Sequence, residues 1–461
     1  MDLRKPIALV LTGLAATMCS AQWQSLNGGV DFFTRCFALT PDSSSLLVGG
    51  NFKYVHQDSL GAVGLANWNG ASWSIDDLSP PPAASVSMPI NSRYVLSVIQ
   101  VQDTILTSHG GTLLNWDSTL QLAAMLTNDQ WQPLGVPDGI LAFFEIHGRV
   151  FGGGEAGTLF SSPMPGVREW RNGTFNPLPH SPFNQPQDIW CGTYWHDLYY
   201  FGGNTWGELG SPDIVTYDGD SIWSGVAGGM GNGWVNALVG FGDSLYVGGY
   251  FLQGGNNLST HAQIFDGTAW HPFFPQVEFI SQVLDMQVYE GALYISGLYH
   301  FVGESTWYGL LRYDGHDLCA IGGPMPSGDN GKIAFFQNNL YMALASTFPG
   351  LEFEWVGYLP LDGLIPDTCI TISQASVQER ERTVLRVYPN PGNDHVSISL
   401  NADQFPARIT VCDMSGRRVF EHVLTSNEAI NTAAWSAGAY ELVLHDLRGG
   451  VLGRSSWVKL P

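Results

Sequence analysis

The sequence predicts an all-β protein: a seven-bladed β-propeller closed by its N-terminal strand, followed by a small β-sandwich. Three observations predict this class. Glycine contributes 55 of the 461 residues and tryptophan 16, while charged residues make up only 13%, a composition that favours short strands and glycine turns over long helices. One phrase of residues recurs seven times at a nearly constant spacing. Residues 383–461 alternate between apolar and polar side chains, as half-buried strands do.

The N-terminus has the features of a secretory signal peptide, which we assign to residues 1–21. Two basic residues near the start precede the apolar run 7–18, and small residues precede Gln22. A lipid anchor on Cys19 stays open as an alternative. No later apolar run reaches the length of a membrane-spanning helix, so the sequence predicts no transmembrane helix in the mature chain.

The repeated phrase consists of a turn, then Leu-aromatic-x-Gly-Gly, then a hairpin and a further aromatic residue. It is clearest at 242–251, followed by 265–270. The seven copies are anchored at Leu46, Ile105, Val150, Leu198, Leu245, Leu293 and Leu340. Apart from the first interval, which a proline-rich insertion at 79–91 lengthens, the anchors lie 45 to 48 residues apart. This period matches the four strands and turns of one propeller blade.

The seventh copy lacks a terminal tryptophan strand, and the N-terminal segment supplies one. Trp23-Gln24-Ser25-Leu26 resembles the sequence 131–134, which ends another copy. We therefore predict that the N-terminal strand pairs into the last blade, so that residues 22–365 form a closed ring. Closure removes the exposed sheet edges that promote aggregation.

Two motifs of the first copy point to a family of propellers. Gly49-Gly50-Asn51-Phe52 is followed by Trp-Asn-Gly-Ala-Ser-Trp at 68–73. This pattern resembles the kelch-like propellers of secreted proteins, which are related in fold to the central domain of galactose oxidase. The resemblance implies the fold rather than an activity, because propellers host binding, hydrolysis, lyase and redox functions alike.

Residues 366–382 are predicted to be a linker, and residues 383–461 a separate C-terminal β-sandwich. The charge distribution supports this boundary, because 383–461 carries seven basic and seven acidic side chains whereas the whole chain has a net charge of −22. The domain contains a series of short motifs. In order they are Tyr388-Pro389-Asn390-Pro391, a turn with Asp413, Gly416 and Arg417, a strand with Gly438 and Tyr440, and Lys459 near the end.

This series closely resembles the type A C-terminal sorting domain of the type IX (Por) secretion system of Bacteroidota. The resemblance implies export by Sec, passage across the outer membrane with the type IX machinery as partner, and usually removal of the domain. The protein is then expected outside the cell or on its outer-membrane surface. One departure is Pro461, which follows the final Lys-Leu. An accessory sandwich that binds glycan is the alternative.

The mature chain keeps five cysteines. Cys36, Cys191, Cys319 and Cys369 allow two disulfides in three connectivities, and the sequence does not choose among them. Cys412 lies in the C-terminal domain and is predicted to be a buried free thiol.

The sequence contains no nucleophile elbow, phosphate-binding loop or His-Glu-x-x-His motif. Asp218, Asp266 and Asp314 occupy a hairpin position that Asn69 holds elsewhere, so we predict that they serve turns, of type I′, rather than catalysis. The net charge of −22 makes nucleic acid an unsuitable partner, since phosphate binding needs a basic face.

Function is predicted where the repeats differ, in loops that share one face of a propeller. The aromatic candidates for ligand binding there are Tyr54, Trp206, Tyr299, Trp307 and Tyr308, and the acidic candidates are Glu155, Glu208 and Glu304. Aromatic faces beside carboxylates suit sugar rings. The sequence therefore favours a non-catalytic binding or adhesion module with an extracellular ligand, for which a glycan is the candidate.

Two other interpretations stay open. The chain would be an enzyme that processes polysaccharide or peptide if the three glutamates served as acid and base. It would be a structural scaffold if calcium stabilised it. No other cofactor or metal is predicted.

Overall fold

The computed structural model describes residues 23–460 with internal gaps, so the predicted signal peptide lies outside the described residues. The gaps are 56–59, 63, 76–77, 79–94, 115–119, 129, 135–139, 155–165, 184–186, 206, 232, 256, 259–260, 274–275, 326–330, 344–354, 373–385, 401–404, 414–416 and 446–450. The chain divides into two compact units, Met1–Ile372 and Ser373–Pro461. The described residues form antiparallel sheets and one 3₁₀ turn, Glu208–Gly210, and contain no α-helix.

The first unit begins with four sheets of four strands, each paired in chain order. The first sheet consists of β1 (Thr34–Leu39), β2 (Leu46–Gly50), β5 (Leu65–Trp68) and β6 (Trp73–Ser74), with the hairpin β3 (Tyr54–Val55) and β4 (Leu60–Gly61) after β2. The second consists of β7 (Val95–Val101), β8 (Thr104–Leu114), β9 (Leu120–Thr127) and β10 (Gln130–Pro133). The third consists of β11 (Ile140–Ile146), β12 (Arg149–Gly154), β13 (Val167–Arg171) and β14 (Thr174–Pro177). The fourth consists of β15 (Asp188–Trp195), β16 (Leu198–Asn204), β17 (Ile214–Tyr217) and β18 (Trp223–Gly225).

Three further main sheets, of four, five and three strands, complete this unit. A short sheet of β19 (Met230–Gly231), β22 (Gln253–Gly254) and β23 (Asn257–Leu258) accompanies the fifth, which consists of β20 (Trp234–Phe241), β21 (Ser244–Tyr250), β24 (Ala262–Phe265) and β25 (Trp270–Pro272). The sixth consists of β26 (Val277–Tyr289), β27 (Ala292–Phe301), β28 (Tyr308–Tyr313) and β29 (Asp317–Ala320), to which β33 (Thr368–Thr371) adds a fifth strand. The seventh consists of β30 (Ile333–Phe336), β31 (Asn339–Ala343) and β32 (Val356–Pro360).

Consecutive sheets meet at their first strands. Each of β1, β7, β11, β15, β20 and β26 contacts the first strand of the following sheet, and β30 of the seventh sheet contacts β1 of the first. Each of the first six first strands also carries a β-bulge, where one extra residue interrupts its pairing with the second strand, and β26 has a further irregularity between Phe279 and Val283. A bulge increases local twist and leaves the extra residue outside the ladder.

The recurring diglycine lies where two sheets approach most closely. A Cβ atom on Gly202 would lie 2.7 Å from Cγ1 of Val235 in the next sheet, closer than real Cβ contacts come. A Cβ atom on the neighbouring Gly203 would collide with the main-chain oxygen of Asp188 in its own sheet. A side chain would press on packed side chains at the first of these positions and on the neighbouring backbone at the second, so glycine fits both.

The N-terminal segment pairs with the seventh sheet. Gln24 bridges Tyr358 of β32, with main-chain N–H···O distances of 2.7 Å and 3.0 Å in the two directions. Trp23 beside it is only 3% exposed. Its indole Nε1 donates to the carbonyl of Gly322, just after β29 of the sixth sheet, at 2.6 Å.

This tryptophan bond recurs in other sheets. In three of them, the indole of the fourth strand donates to a carbonyl just after the corresponding strand or segment of the preceding sheet, whereas the buried Nε1 of Trp131 in the second sheet has no such bond. The pairs are Trp223 with Pro179 at 2.9 Å, Trp270 with Val226 at 3.3 Å and Trp73 with Leu26 at 2.6 Å. The N-terminal segment therefore supplies both a donor, Trp23, and an acceptor, Leu26, to the series.

The prediction that the recurring aspartates serve turns is confirmed, but their turn geometry differs from the expected type I′. Oδ1 of Asp266 accepts the amide N–H groups of Thr268 and Ala269 at 2.7 Å and 2.8 Å. Only the glycine of this turn, Gly267, has a positive φ, whereas type I′ requires two. The side chain takes over the hydrogen bonding that a tighter turn would make through its backbone.

The sequence allows two disulfides without choosing their pairing, and the described residues contain one. Cys319 and Cys369 are bonded and lie opposite each other on β29 and β33. Cys36 and Cys191 are free and buried. They cannot pair with each other because they belong to the first strands of the first and fourth sheets, where each thiol faces a main-chain oxygen of the next sheet, that of Val95 or Val235.

The bonded pair also bears on the segment 366–382, for which the sequence predicts a linker. The first compact unit extends through Ile372, and β33 within that segment belongs to the sixth sheet. Cys369 thereby fastens the end of the first unit to its sixth sheet.

The second unit contains two antiparallel sheets around one apolar core. The first consists of β34 (Arg386–Tyr388), β35 (His395–Ser399) and β38 (Glu428–Asn431), and the second of β37 (Arg418–Leu424), β36 (Ala407–Asp413), β39 (Gly438–His445) and β40 (Val451–Lys459). Both sheets contribute to the core, for example through Ile398 and Trp457. Cys412 forms no disulfide, as predicted, but it is half-buried rather than buried.

Candidate functional site

Two half-buried tryptophans meet at one end of the strands in the fourth and fifth sheets. Trp190 and Trp234 have ring centroids 6.2 Å apart and ring planes at 81°. We call this pair the indole corner. It lies at the strand ends that carry the loops between second and third strands, because Trp234 pairs with Tyr250 at the end of β21.

Further rings hold the second indole in place. Tyr250 stacks on Trp234 with centroids 4.7 Å apart, and His261 stacks on Tyr250 at 5.1 Å. Tyr250 therefore stacks with two other rings, although 39% of the residue stays exposed. We call Trp234, Tyr250 and His261 the aromatic stack. Its contacts fix the orientation of Trp234, which is what a preorganised binding surface requires.

Backbone features explain why these side chains are presented. Trp190 is the extra residue of the β15 bulge, between Ile189 and Cys191, and Asn236 holds the same position in β20. The Nδ2 group of Asn236 donates to Gln282 and to the carbonyl of Val283, both in the sixth sheet. Bulges redirect side chains and occur next to active sites. The bulge position thus carries an indole in the fourth sheet and an amide in the fifth.

His261 adopts a conformation that glycine ordinarily fills. It precedes the third strand of its sheet with φ of 67°, and Asp213 precedes the third strand of the fourth sheet with φ of 65°. Gly64 occupies the corresponding place in the first sheet with φ of 87°, and Trp355 in the seventh with φ of 71°. Positive φ costs a bulky residue roughly 1–2 kcal/mol. The strained residues lie at the loop end of their strands.

Each strained side chain has contacts that offset this cost. Asp213 accepts the amide N–H of Thr205 at 3.0 Å, and its own amide donates to the Thr205 hydroxyl at 2.8 Å. Burial raises the pKa of Asp213 to about 7, and burial also lowers the pKa of His261, which favours its neutral form. Asp213 therefore fastens its loop, and a neutral His261 supports the aromatic stack.

The loops beside the indole corner are joined by main-chain hydrogen bonds. Met230 donates to Pro212 at 2.8 Å, Gly255 donates to Gly229 at 2.7 Å, and Leu252 donates to Gly231 at 3.2 Å. These bonds link the loop of the fourth sheet, the connection between the sheets and the loop of the fifth. These hydrogen bonds therefore hold the backbone around the indole corner in a fixed arrangement.

The aromatic candidates from the sequence are dispersed in the structure. Tyr54 is 43% exposed, and Trp307 is half-buried with its ring edge-on to His300. Tyr299 and Tyr308 are not loop residues as predicted but lie in β27 and β28, buried and packed on each other at 5.9 Å. The Tyr299 hydroxyl donates to the carbonyl of Leu310. These two tyrosines belong to the core and cannot meet a ligand at the surface.

The remaining candidates are only partly described. Trp206 and Glu155 lie outside the described residues. Glu208 begins the 3₁₀ turn, and Glu304 is exposed in the loop between β27 and β28. The described residues contain no group of three or more His, Cys, Asp or Glu side chains that could hold a metal ion, and the calcium interpretation stays a prediction.

The sequence did not predict the indole corner, because its two tryptophans lie in first strands, whereas ligand-binding residues were expected in loops. No shared repeat position indicates the pair, since Trp190 corresponds to Asn236 whereas Trp234 corresponds to Asp188 at the start of β15.

The C-terminal motifs are brought together in the second unit. The Asn390 side chain accepts the amide N–H of Val458 at 3.0 Å, and the Trp457 indole donates to the carbonyl of Pro389 at 2.6 Å. The ammonium group of Lys459 donates to the carbonyl of Asn393 at 2.8 Å. The first and last motifs therefore form one surface.

The other two C-terminal motifs have local roles. Asp413 accepts both the main-chain and the side-chain N–H of Arg417 at 3.1 Å, which closes the turn, while Gly416 lies outside the described residues. The Tyr440 hydroxyl donates to the carbonyl of Ser436, just ahead of Gly438 at the start of β39. Tyr388 is 54% exposed.

Comparison with known proteins identifies this C-terminal region. Residues 386–450 match the family described as the secretion system C-terminal sorting domain. The match implies that the chain interacts with the type IX secretion machinery and is a secreted or cell-surface protein of Bacteroidota. No helix among the described residues is long and apolar enough to cross a membrane. A search of curated proteins finds no significant match.

Three solved structures illustrate the likeness of the whole chain. A protein described as the extracellular domain of a hybrid two-component system from B. thetaiotaomicron is 10% identical, with a TM-score of 0.35 and coverage of 92% of this chain and 67% of that one. PorZ, a surface component of the type IX secretion system of Porphyromonas gingivalis, is 13% identical, with a TM-score of 0.21 and coverage of 93% and 81%. A fungal alcohol oxidase of the AA5 family is 12% identical, with a TM-score of 0.37 and coverage of 95% and 99%. Likenesses this weak carry no conclusion about function.

Proposed function

We propose that the first unit is a closed, kelch-like seven-bladed β-propeller that acts outside the cell as a non-catalytic binding or adhesion module with a glycan ligand. The contact of β30 with β1 supports closure of the ring. So does the N-terminal segment, because Trp23 and Leu26 take the donor and acceptor places that Trp270 and Val226 take between neighbouring sheets. The propeller would cover residues 22–365, after a signal peptide at 1–21.

The indole corner is the observation that supports a glycan ligand. Sugar rings present C–H groups on one face and hydroxyls around the edge, so they stack on indoles while neighbouring polar groups accept or donate hydrogen bonds. Trp190 and Trp234 supply two accessible indole surfaces at a right angle, and Asn236 supplies an amide beside them. Tyr54, Trp307 and Glu304 are proposed outer contacts.

A glycan array followed by calorimetric titration tests this proposal. We expect the purified protein to bind at least one oligosaccharide. Trp190→Ala and Trp234→Ala should each weaken that binding at least about tenfold, or about 1.4 kcal/mol, because each removes a stacking surface.

Tyr194→Ala is the matched control. Tyr194 stacks on His147 with centroids 4.2 Å apart, but at the opposite end of the strands from the indole corner. The control should bind as the native protein does. A blank array, or binding that survives both tryptophan substitutions, would contradict the proposed site.

A further inference from the structure

A lysine ammonium lies among main-chain oxygens where three sheets meet. Lys332 immediately precedes β30. Its Nζ lies 3.2 Å from the carbonyl oxygen of Leu284, 3.5 Å from that of Asn236 and 3.5 Å from Oδ1 of Asp285. One side chain of the seventh sheet thus reaches oxygens of the fifth and sixth.

The two carbonyls belong to bulges. Asn236 and Leu284 are the extra residues of β20 and β26, so their main-chain groups stand outside the regular ladder. In another pair of sheets, a serine hydroxyl is the hydrogen-bond donor to the carbonyl of a bulge residue. The Ser108 hydroxyl donates to the carbonyl of Leu141, the extra residue of β11, at 2.6 Å. Lys332 therefore serves two such carbonyls with one cationic group.

Asp285 completes the oxygen set and is itself held in place. Its Oδ2 accepts the amide N–H of Ile333 at 3.0 Å and the Gln287 side chain at 3.3 Å. The residue is 8% exposed. A buried carboxylate fixed by neighbouring N–H groups cannot turn to solvent when its cation is removed.

The positive charge of Lys332 also influences ionisable side chains in other sheets. Burial raises the pKa values of the Cys36 and Cys191 thiols to about 12, and the positive charge of Lys332 acts against that shift in both. These thiols belong to the first and fourth sheets. The ammonium group therefore lies within electrostatic reach of first strands in five sheets.

We propose that Lys332 is a tethered cation occupying an oxygen site suited to a hard metal ion, so that the native protein is stable without one and gains a Ca²⁺ site when the lysine is removed. Carbonyl and carboxylate oxygens are the ligands that Ca²⁺ prefers. The inference rests on this oxygen set and is independent of any ligand at the indole corner.

Lys332→Met tests the proposal, since methionine keeps much of the length and loses the charge. The native protein should melt at the same temperature in EDTA and in about 5 mM CaCl₂ at constant ionic strength. The variant should melt several degrees lower in EDTA and recover with CaCl₂. Equilibrium dialysis with radioactive calcium should show about one more bound ion per chain than the native protein binds.

Two further variants keep the test decisive. Lys332→Met combined with Asp285→Asn should lose the additional ion, because the carboxylate is gone. Lys332→Ala leaves more room and should gain the site as Lys332→Met does. The proposal is overturned if both single variants bind no more Ca²⁺ than the native protein, or if neither folds with Ca²⁺ present. It is also overturned if the double variant binds as many Ca²⁺ ions as Lys332→Met does.

Discussion

The N-terminal strand can be tested through one side chain. Trp23 is 3% exposed and donates from its indole to the carbonyl of Gly322 at 2.6 Å. It packs among buried residues of the sixth and seventh sheets, including Ile321 and Leu340. If the segment forms the outer strand of the seventh sheet, Trp23→Ala opens a large cavity between two sheets.

The expected cost follows from the contacts that are lost. Replacing a buried tryptophan by alanine costs about 3–5 kcal/mol, and a lost hydrogen bond about 1 kcal/mol. For a domain of this size, roughly 2 °C of melting temperature accompanies each kcal/mol, which gives a fall of about 8–12 °C. Trp23→Phe keeps most of the apolar surface but leaves the Gly322 carbonyl unpaired, so a smaller fall of about 1–3 kcal/mol is expected.

Thermal unfolding and hydrogen exchange measure this effect. The control is Ile222→Ala, since Ile222 is apolar and 63% exposed, and it should change stability by less than about 0.5 kcal/mol. In the Trp23→Ala protein, the amide groups of Gln24 and Tyr358 should exchange faster, because their mutual bonds are released. Unchanged melting and unchanged exchange at both amides would refute the pairing of the N-terminal strand.

Three further outcomes are expected. Gly202→Ala should destabilise the protein by about 1–3 kcal/mol in urea, because its Cβ would press on the next sheet, whereas Gly61→Ala, with nothing within 4 Å, should be neutral. Asp213 has a pKa raised to about 7, so its stabilising contribution is complete below about pH 4 and is lost as the pH rises through 7. Asp213→Asn should reduce the pH dependence of the free energy of unfolding between about pH 4 and pH 7, as measured by denaturant titration at several pH values. Reducing the Cys319–Cys369 bond, which spans 50 residues, should cost about 4 kcal/mol in thermal melts.

The sequence predicted what depends on local pattern. The strand-rich composition, the repeat anchors at the start of second strands and the turn role of Asp266 all follow from nearest-neighbour chemistry, and the structure contains them. The C-terminal motifs are equally local, and residues 386–450 match the sorting-domain family.

What the sequence did not predict depends on contacts between distant segments. The pairing of Cys319 with Cys369 requires β33 to pair with β29 of the sixth sheet, and no local sequence pattern predicts that pairing. Tyr299 was expected in a loop because β27, with ten residues, is longer than every other second strand except β8, a length that only its pairing with β26 reveals. The indole corner likewise exists only because bulged first strands of two sheets lie side by side.

The geometry of the second unit explains why its motifs are spread over the whole domain. Asn390 and Asn393 near its start bond to Val458 and Lys459 near its end, and Gly392 donates to the carbonyl of Val458 at 2.9 Å. The N-terminal motif therefore acquires its partners only when β40, the last strand of the chain, is in place. It follows that loss of the last few residues removes the partners of the first motif as well as the end of the chain.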